Sequence, residues 1–220
     1  MGTVEPPVAT DLLDVEGLEP GTSLLLTGSA MSGKHELVLA LLAAGSKDRH
    51  GSVFVTTRKD AVASERDFER LTGGSGTDFA VVDCVTRSAG FDRPTETPGR
   101  VYVSDPGDLT GIGIGVTTFL RQFYREGTSA RLGVHSVSTM LMYADLRRVF
   151  RLLHVLTARI DAADSIGVFA LDDSVDSHEQ SVLRQPFDGV VELRETDEGR
   201  ELRCRGVDAG PRSWTPVSLR

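Results

Sequence analysis

Lysine is nearly absent from this chain of 220 residues. Three lysines, Lys34, Lys47 and Lys59, stand against 21 arginines. Cysteine is as scarce: Cys84 and Cys204 are the two in the chain. That excludes a disulfide framework, and their spacing excludes a zinc module. Both are expected as small buried apolar residues. No segment holds the roughly 18 consecutive apolar residues that a bilayer span needs. The start MGTVEPPVAT has neither a basic region nor an apolar run, which excludes a signal peptide. Pro6 stands where N-myristoylation after Gly2 calls for Ser or Thr. Internal repeats and low-complexity tracts are missing too. These absences lead us to expect a cytoplasmic protein without a membrane partner. The net charge of -8 and pI of about 5.1 disfavour an extended phosphate-binding surface.

What is present is an alternation of strand-like and helical segments. Apolar, β-branched runs over 22–27, 52–57, 79–85, 100–104, 132–137 and 166–171 predict strands. Helical spacing predicts helices over 36–44, 61–71 and 109–123, and a short one within 172–184. The longest periodic pattern runs from Met142 through Leu146, Val149, Phe150, Leu153 and Leu156 to Ile160, and predicts one helix over 142–160. Glycines at 73, 74 and 76 break the chain, and a Pro- and Gly-containing loop spans 87–99. Two strands over 189–194 and 201–207 flank Asp197-Glu198-Gly199, a hairpin signature. Strand–helix alternation implies a parallel sheet covered on both faces. Residues 1–20 are expected as a flexible lead-in with a short turn at 11–15, 21–207 as one α/β domain, and 208–220 as a tail.

The most informative stretch is Gly28-Ser29-Ala30-Met31-Ser32-Gly33-Lys34-His35. It reads G-x-x-x-x-G-K after a strand and before a helix, the context a phosphate loop requires. Successive backbone N–H groups and the helix N-terminus favour an anion. Lys34 would reach the outer phosphates of ATP or ADP. A hydroxyl normally follows the lysine and ligates Mg²⁺, but here His35 does. Imidazole is a poor ligand for a hard, oxygen-seeking ion, so Mg²⁺ dependence is expected to be weak or absent.

These residues resemble the KaiC-like branch of the RecA superfamily of P-loop ATPases, in particular short single-domain haloarchaeal forms. The resemblance runs through the lead-in from Gly17 to Leu26, the strand Val53-Phe54-Val55-Thr56-Thr57, and Leu132 to Thr139. It continues through the helical run from Leu141 to Thr157 and the late strand Asp188 to Leu193. It implies a RecA-like fold with a mostly parallel sheet, helices on both faces and a C-terminal β-hairpin. It also implies three chemical devices, each altered here. The hydroxyl position is His35. Catalytic carboxylates would follow the second strand, where Arg58-Lys59 stands and cannot accept a proton at neutral pH. The Walker B aspartate corresponds to His135. Glu36 and Asp83 are alternative carboxylates that no pattern places in the site.

The expected protein is therefore a nucleotide-binding regulatory protein with impaired or absent hydrolysis. No residue is assigned a catalytic or metal-ligating role. A slow but genuine ATPase and an interaction module that has lost nucleotide binding are the alternatives. The partner is unnamed, either another protein or a second copy. DNA is disfavoured, because the loop over 171–186 carries Asp172, Asp173, Asp176 and Glu179 against one arginine. Gly111-Ile112-Gly113-Ile114-Gly115 is read as close helix packing. Arg147, Arg148 and Arg151 are read as a solvated face or an interface, and Trp214 as a staple for the tail. His35 and His135 are expected near each other if both line the phosphate pocket.

Overall fold

The computed structural model describes residues 6–44, 50–74, 78–88, 90 and 97–219. Nine strands form one sheet in the order β4-β3-β2-β5-β6-β1-β7-β8-β9. β1 (Ser23–Gly28), β2 (Gly51–Thr56), β3 (Phe79–Asp83), β4 (Arg100–Tyr102), β5 (Ala130–His135) and β6 (Ile166–Asp172) are all parallel. β7 (Gly189–Thr196) also runs parallel to β1. β8 (Gly199–Arg205) and β9 (Thr215–Val217) then fold back antiparallel. The parallel α/β sheet and the terminal hairpin agree with the expected fold class.

The inner strands are apolar throughout because both faces are covered. Leu25, Val53 and Val55 face one core, packed under α4 (Leu109–Arg125), α5 (Val137–Tyr143), α6 (Leu146–Ala162) and α7 (Ser177–Arg184). Leu24, Leu26 and Phe54 face the other, under α1 (Ala9–Leu12), α2 (Lys34–Ala44) and α3 (Ala61–Thr72). Cys84 and Cys204 are buried free thiols, as expected.

Three expectations change. The helix over 142–160 is two helices. Ala144 is extended, and the Asp145 side chain accepts from the Arg148 N–H to start α6 anew. Met142, expected in the core, is 83% exposed. The segment over 6–20 carries a short helix, α1. Ala9, Leu13 and Val15 are buried, and Val8 bridges Ser218 beside β9. The short strand β9 lay unnoticed in the tail because Pro211 and Pro216 mask its pattern. Of the glycine break after α3, Gly73 caps that helix in the left-handed conformation; residues 75 and 76 lie outside the described residues, as does most of the 87–99 loop.

Trp214 staples the tail to the hairpin, as expected. The guanidinium groups of Arg194 and Arg203 both lie against its ring, 4.1 and 4.3 Å from the ring centroid. Gly113 and Gly115 of α4 differ in what surrounds them. A Cβ on Gly115 would sit 3.0 Å from Val82, so close packing requires glycine there. A Cβ on Gly113 would meet Leu152 at an ordinary 3.5 Å. Gly113→Ala is therefore expected to stabilise the fold by about 0.5–1 kcal/mol through helix propensity. The midpoint of urea unfolding should rise at constant slope; a lower midpoint would contradict this.

Candidate functional site

The site forms at the C-terminal ends of β1, β2, β5 and β6. The register pairs Gly28 with Asp172 and Thr56 with His135. Gly28 to Gly33 turn from β1 into α2. Gly28 must lack a side chain because a Cβ would lie 2.5 Å from the Leu193 carbonyl on β7. Gly33 has φ 95° and is covered by Leu219, whose Cδ1 would sit 2.1 Å from an added Cβ. Met31 takes φ 64°, a left-handed conformation that costs a non-glycine residue on the order of 1 kcal/mol, and projects outward 83% exposed.

Lys34 folds across this loop and is buried. Its ammonium donates to the carbonyls of Gly28 at 2.8 Å and Ser29 at 2.5 Å, and approaches Ser32 Oγ at 3.4 Å. It also pairs with Asp172 Oδ1 at 2.8 Å. Asp172 had been read as part of an acidic loop. It is instead the last residue of β6, and its carboxylate meets Lys34 beside the loop over 28–33. Its backbone N–H donates to Ser138 Oγ on α5 at 2.6 Å, which ties the strand end to the next helix.

His35 does not face the loop interior. Its ring packs edge-on against Phe54 and against His135, with centroids 5.9 and 4.9 Å apart. The two imidazoles do meet, as expected. His35 Nε2 lies 3.6 Å from Asp67 Oδ2, beyond hydrogen-bond reach, and both of its nitrogens are buried without a hydrogen bond. Burial lowers the His35 pKa, helped by the nearby Lys59 ammonium. Burial likewise pushes His135 down to about 4, with His35, Lys34 and Arg58 adding to the effect and Asp172 opposing it. Both rings are therefore neutral at pH 7.

The remaining candidates are occupied elsewhere. Lys59 pairs with Asp67 at 2.5 Å, and Arg58 is exposed. Asp83 is fully buried and accepts from the Ala61, Val85 and Thr86 N–H groups and the Thr86 hydroxyl. That is a loop-closing role. Glu36 is exposed on α2. Thr57, which the sequence reading missed, latches β2 to β5: its hydroxyl donates to the His135 carbonyl at 3.0 Å and accepts from the Ser136 N–H at 2.8 Å. No group of three His, Cys, Asp or Glu suited to a metal ion occurs among the described residues. Mg²⁺ prefers a cage of oxygens. Two neutral imidazoles and one carboxylate already paired with Lys34 do not fit it.

Strand order and terminal hairpin together define an α/β RecA-like fold. A solved KaiC-like protein from the hyperthermophilic archaeon Pyrococcus horikoshii OT3 matches 96% of this chain and 89% of its own, with a TM-score of 0.58 and 20% identity. That likeness carries the fold. Residues 21–193 match a family described as one of unknown function, DUF7504, and the chain belongs to that family. No curated protein matches. No helix among the described residues is long and apolar enough to cross a membrane.

Proposed function

We propose that this chain is a nucleotide-binding regulatory protein that holds ATP or ADP at Gly28, Ser29, Ala30, Met31, Ser32, Gly33, Lys34 and His35 and does not hydrolyse it efficiently. The observation that supports this reading best is the contrast within one site. The loop keeps its glycines and an inward lysine, while the positions that would hold metal and activate water carry His35, His135 and Arg58-Lys59. The phosphate group fits the donors present: backbone N–H groups at a helix N-terminus and one ammonium. His35 belongs to the site through packing rather than ligation. It fills the space between α2, β2 and β5, as the contacts with Phe54 and His135 indicate.

Binding would exchange one Lys34 partner for another. A phosphate oxygen would replace Asp172, and the freed carboxylate would loosen the β6 end and its Ser138 tie. That gives the nucleotide a way to bias the adjacent surface without turnover. The lysine-poor, aspartate-rich composition supports placing the chain in a high-salt cytoplasm of the haloarchaeal kind. The reading as a module that has lost nucleotide binding draws on the same ion pair, since Asp172 already satisfies Lys34.

Thermal unfolding with ATP, with ADP and in buffer separates the two. Either nucleotide at about 100 times its Kd is expected to stabilise the fold by about 2.7 kcal/mol, and by the same amount in EDTA. Phosphate release should stay at background. No thermal shift would sink the binding reading. A shift lost in EDTA, or steady phosphate release, would favour a genuine ATPase.

A further inference from the structure

We propose that the groove between α4 and α6 docks an acidic amphipathic helix of a protein partner. The groove encloses about 500 Å³ on the face of the sheet opposite α2. One wall carries Thr110, Gly113, Thr117 and Arg121 of α4, and the other Arg148, Arg151, Val155 and Arg159 of α6. Both sets step by three, four or four residues, so each wall is a single helical stripe. The stripes run for about 16 Å, the length of an 11-residue helix.

Charge identifies the occupant. α4 and α6 together hold six arginines and one carboxylate, Asp161, in a chain whose net charge is -8. Arg121, Arg148, Arg151 and Arg159 form no ion pair and no side-chain hydrogen bond among the described residues. Arg194, Arg200, Arg203 and Arg205 on the terminal hairpin are all paired with glutamates. Arg147 and Arg148 sit in the first turn of α6, where the helix dipole disfavours cations. Local stability therefore does not account for them. Arg148 and Arg151 mark one end of the groove and Arg121 and Arg159 the other, a match for carboxylates at both ends of a bound helix.

The middle of the groove is apolar. Ile114 is 63% exposed and Val155 41% exposed beside buried Leu152. Gly113 lies on the groove without any packing need for glycine, which leaves a shallow floor where another helix can approach closely. Exposed apolar residues framed by unpaired cations suit the helix-in-groove mode, in which an apolar stripe supplies contact and flanking charge supplies orientation.

The test uses the full chain and two labelled synthetic helices of about 16 residues. One has a leucine stripe with glutamates at both ends; the other carries lysines in their place. Fluorescence anisotropy should show saturable binding of the glutamate peptide, weakened by salt, and none of the lysine peptide. Arg148→Glu with Arg151→Glu should weaken binding at least tenfold. Gly113→Leu, which fills the floor and alters no charge, should weaken it by a similar factor, with circular dichroism verifying the fold of both variants. Equal binding of the two peptides, or binding that neither variant alters, would overturn the proposal. So would displacement of the peptide by a single-stranded oligonucleotide, or sedimentation showing that the groove pairs with a second copy.

Discussion

With Lys34→Met, the stabilisation by ATP or ADP at the same nucleotide concentration is expected to fall from about 2.7 to about 0.4–1.4 kcal/mol. The ammonium is the one side-chain cation buried at the loop. A charge-assisted bond to phosphate contributes about 1.5–3 kcal/mol, so affinity should fall on the order of 10- to 100-fold. The folded state itself should change little, because Asp172 is 27% exposed and water can solvate it once the lysine is gone. Asp172→Asn makes the opposite prediction. It removes the anion that competes with phosphate for Lys34 while keeping the side-chain shape. Affinity is expected to rise several-fold, measured by isothermal titration at pH 7. If Lys34→Met binds like the native chain, the loop does not hold phosphate. If Asp172→Asn weakens binding, Asp172 contributes to the bound state, and the exchange described above is wrong.

Acid is expected to destabilise this protein between about pH 6.5 and about pH 4. His135 has its pKa pushed down to about 4 in the folded state, against about 6.5 when unfolded. Above pH 6.5 both states carry neutral imidazole, and the group has no effect. Below pH 6.5 the unfolded chain takes up a proton that the folded chain refuses, so stability falls as pH drops and levels off near pH 4. The shift corresponds to about 3 kcal/mol across that window. For a chain of this size the loss is roughly 10 °C in Tm. His35, lowered in the same direction, adds to the fall. Asp67 and Glu192 have lowered pKa values, so their contributions are lost only at lower pH. His135→Asn should flatten the profile between pH 6.5 and 4.5. An unchanged Tm over that range in the native chain would show that both rings protonate freely where they stand.

Much of the sheet was readable in the chain, because central parallel strands must be apolar on both faces. Runs such as Ser23–Gly28 and Gly51–Thr56 announce that burial directly. The break between α5 and α6 was harder to see. Apolar residues keep helical spacing across Ala144 and Asp145, and the cap that separates the helices is one side-chain hydrogen bond. In the site, Gly28 to His35 was legible as a local pattern, and the meeting of His35 with His135 followed from placing both at the pocket. Asp172 was not legible as a partner of Lys34. Their contact depends on β6 lying beside β1, and strand order leaves no mark in local spacing. Thr57 was missed for the same reason, since its hydroxyl acts across the gap between β2 and β5.

The bridge between Val8 and Ser218 bears on how the chain reaches this structure. Ala9 donates to the Ser218 carbonyl and Ser218 to the Pro7 carbonyl, each at 2.8 Å. These contacts join residues separated by almost the whole described chain, and β1 likewise waits for β6 and β7. Sheet closure therefore belongs to the late, high-contact-order part of folding. The bridge falls on Ser218, just past the end of β9, and pins that end of the outermost strand. During synthesis, the early segment must stay unpaired while the rest of the sheet assembles. The two ends of the described chain are thus tied to one another through the last strand rather than left to fray independently.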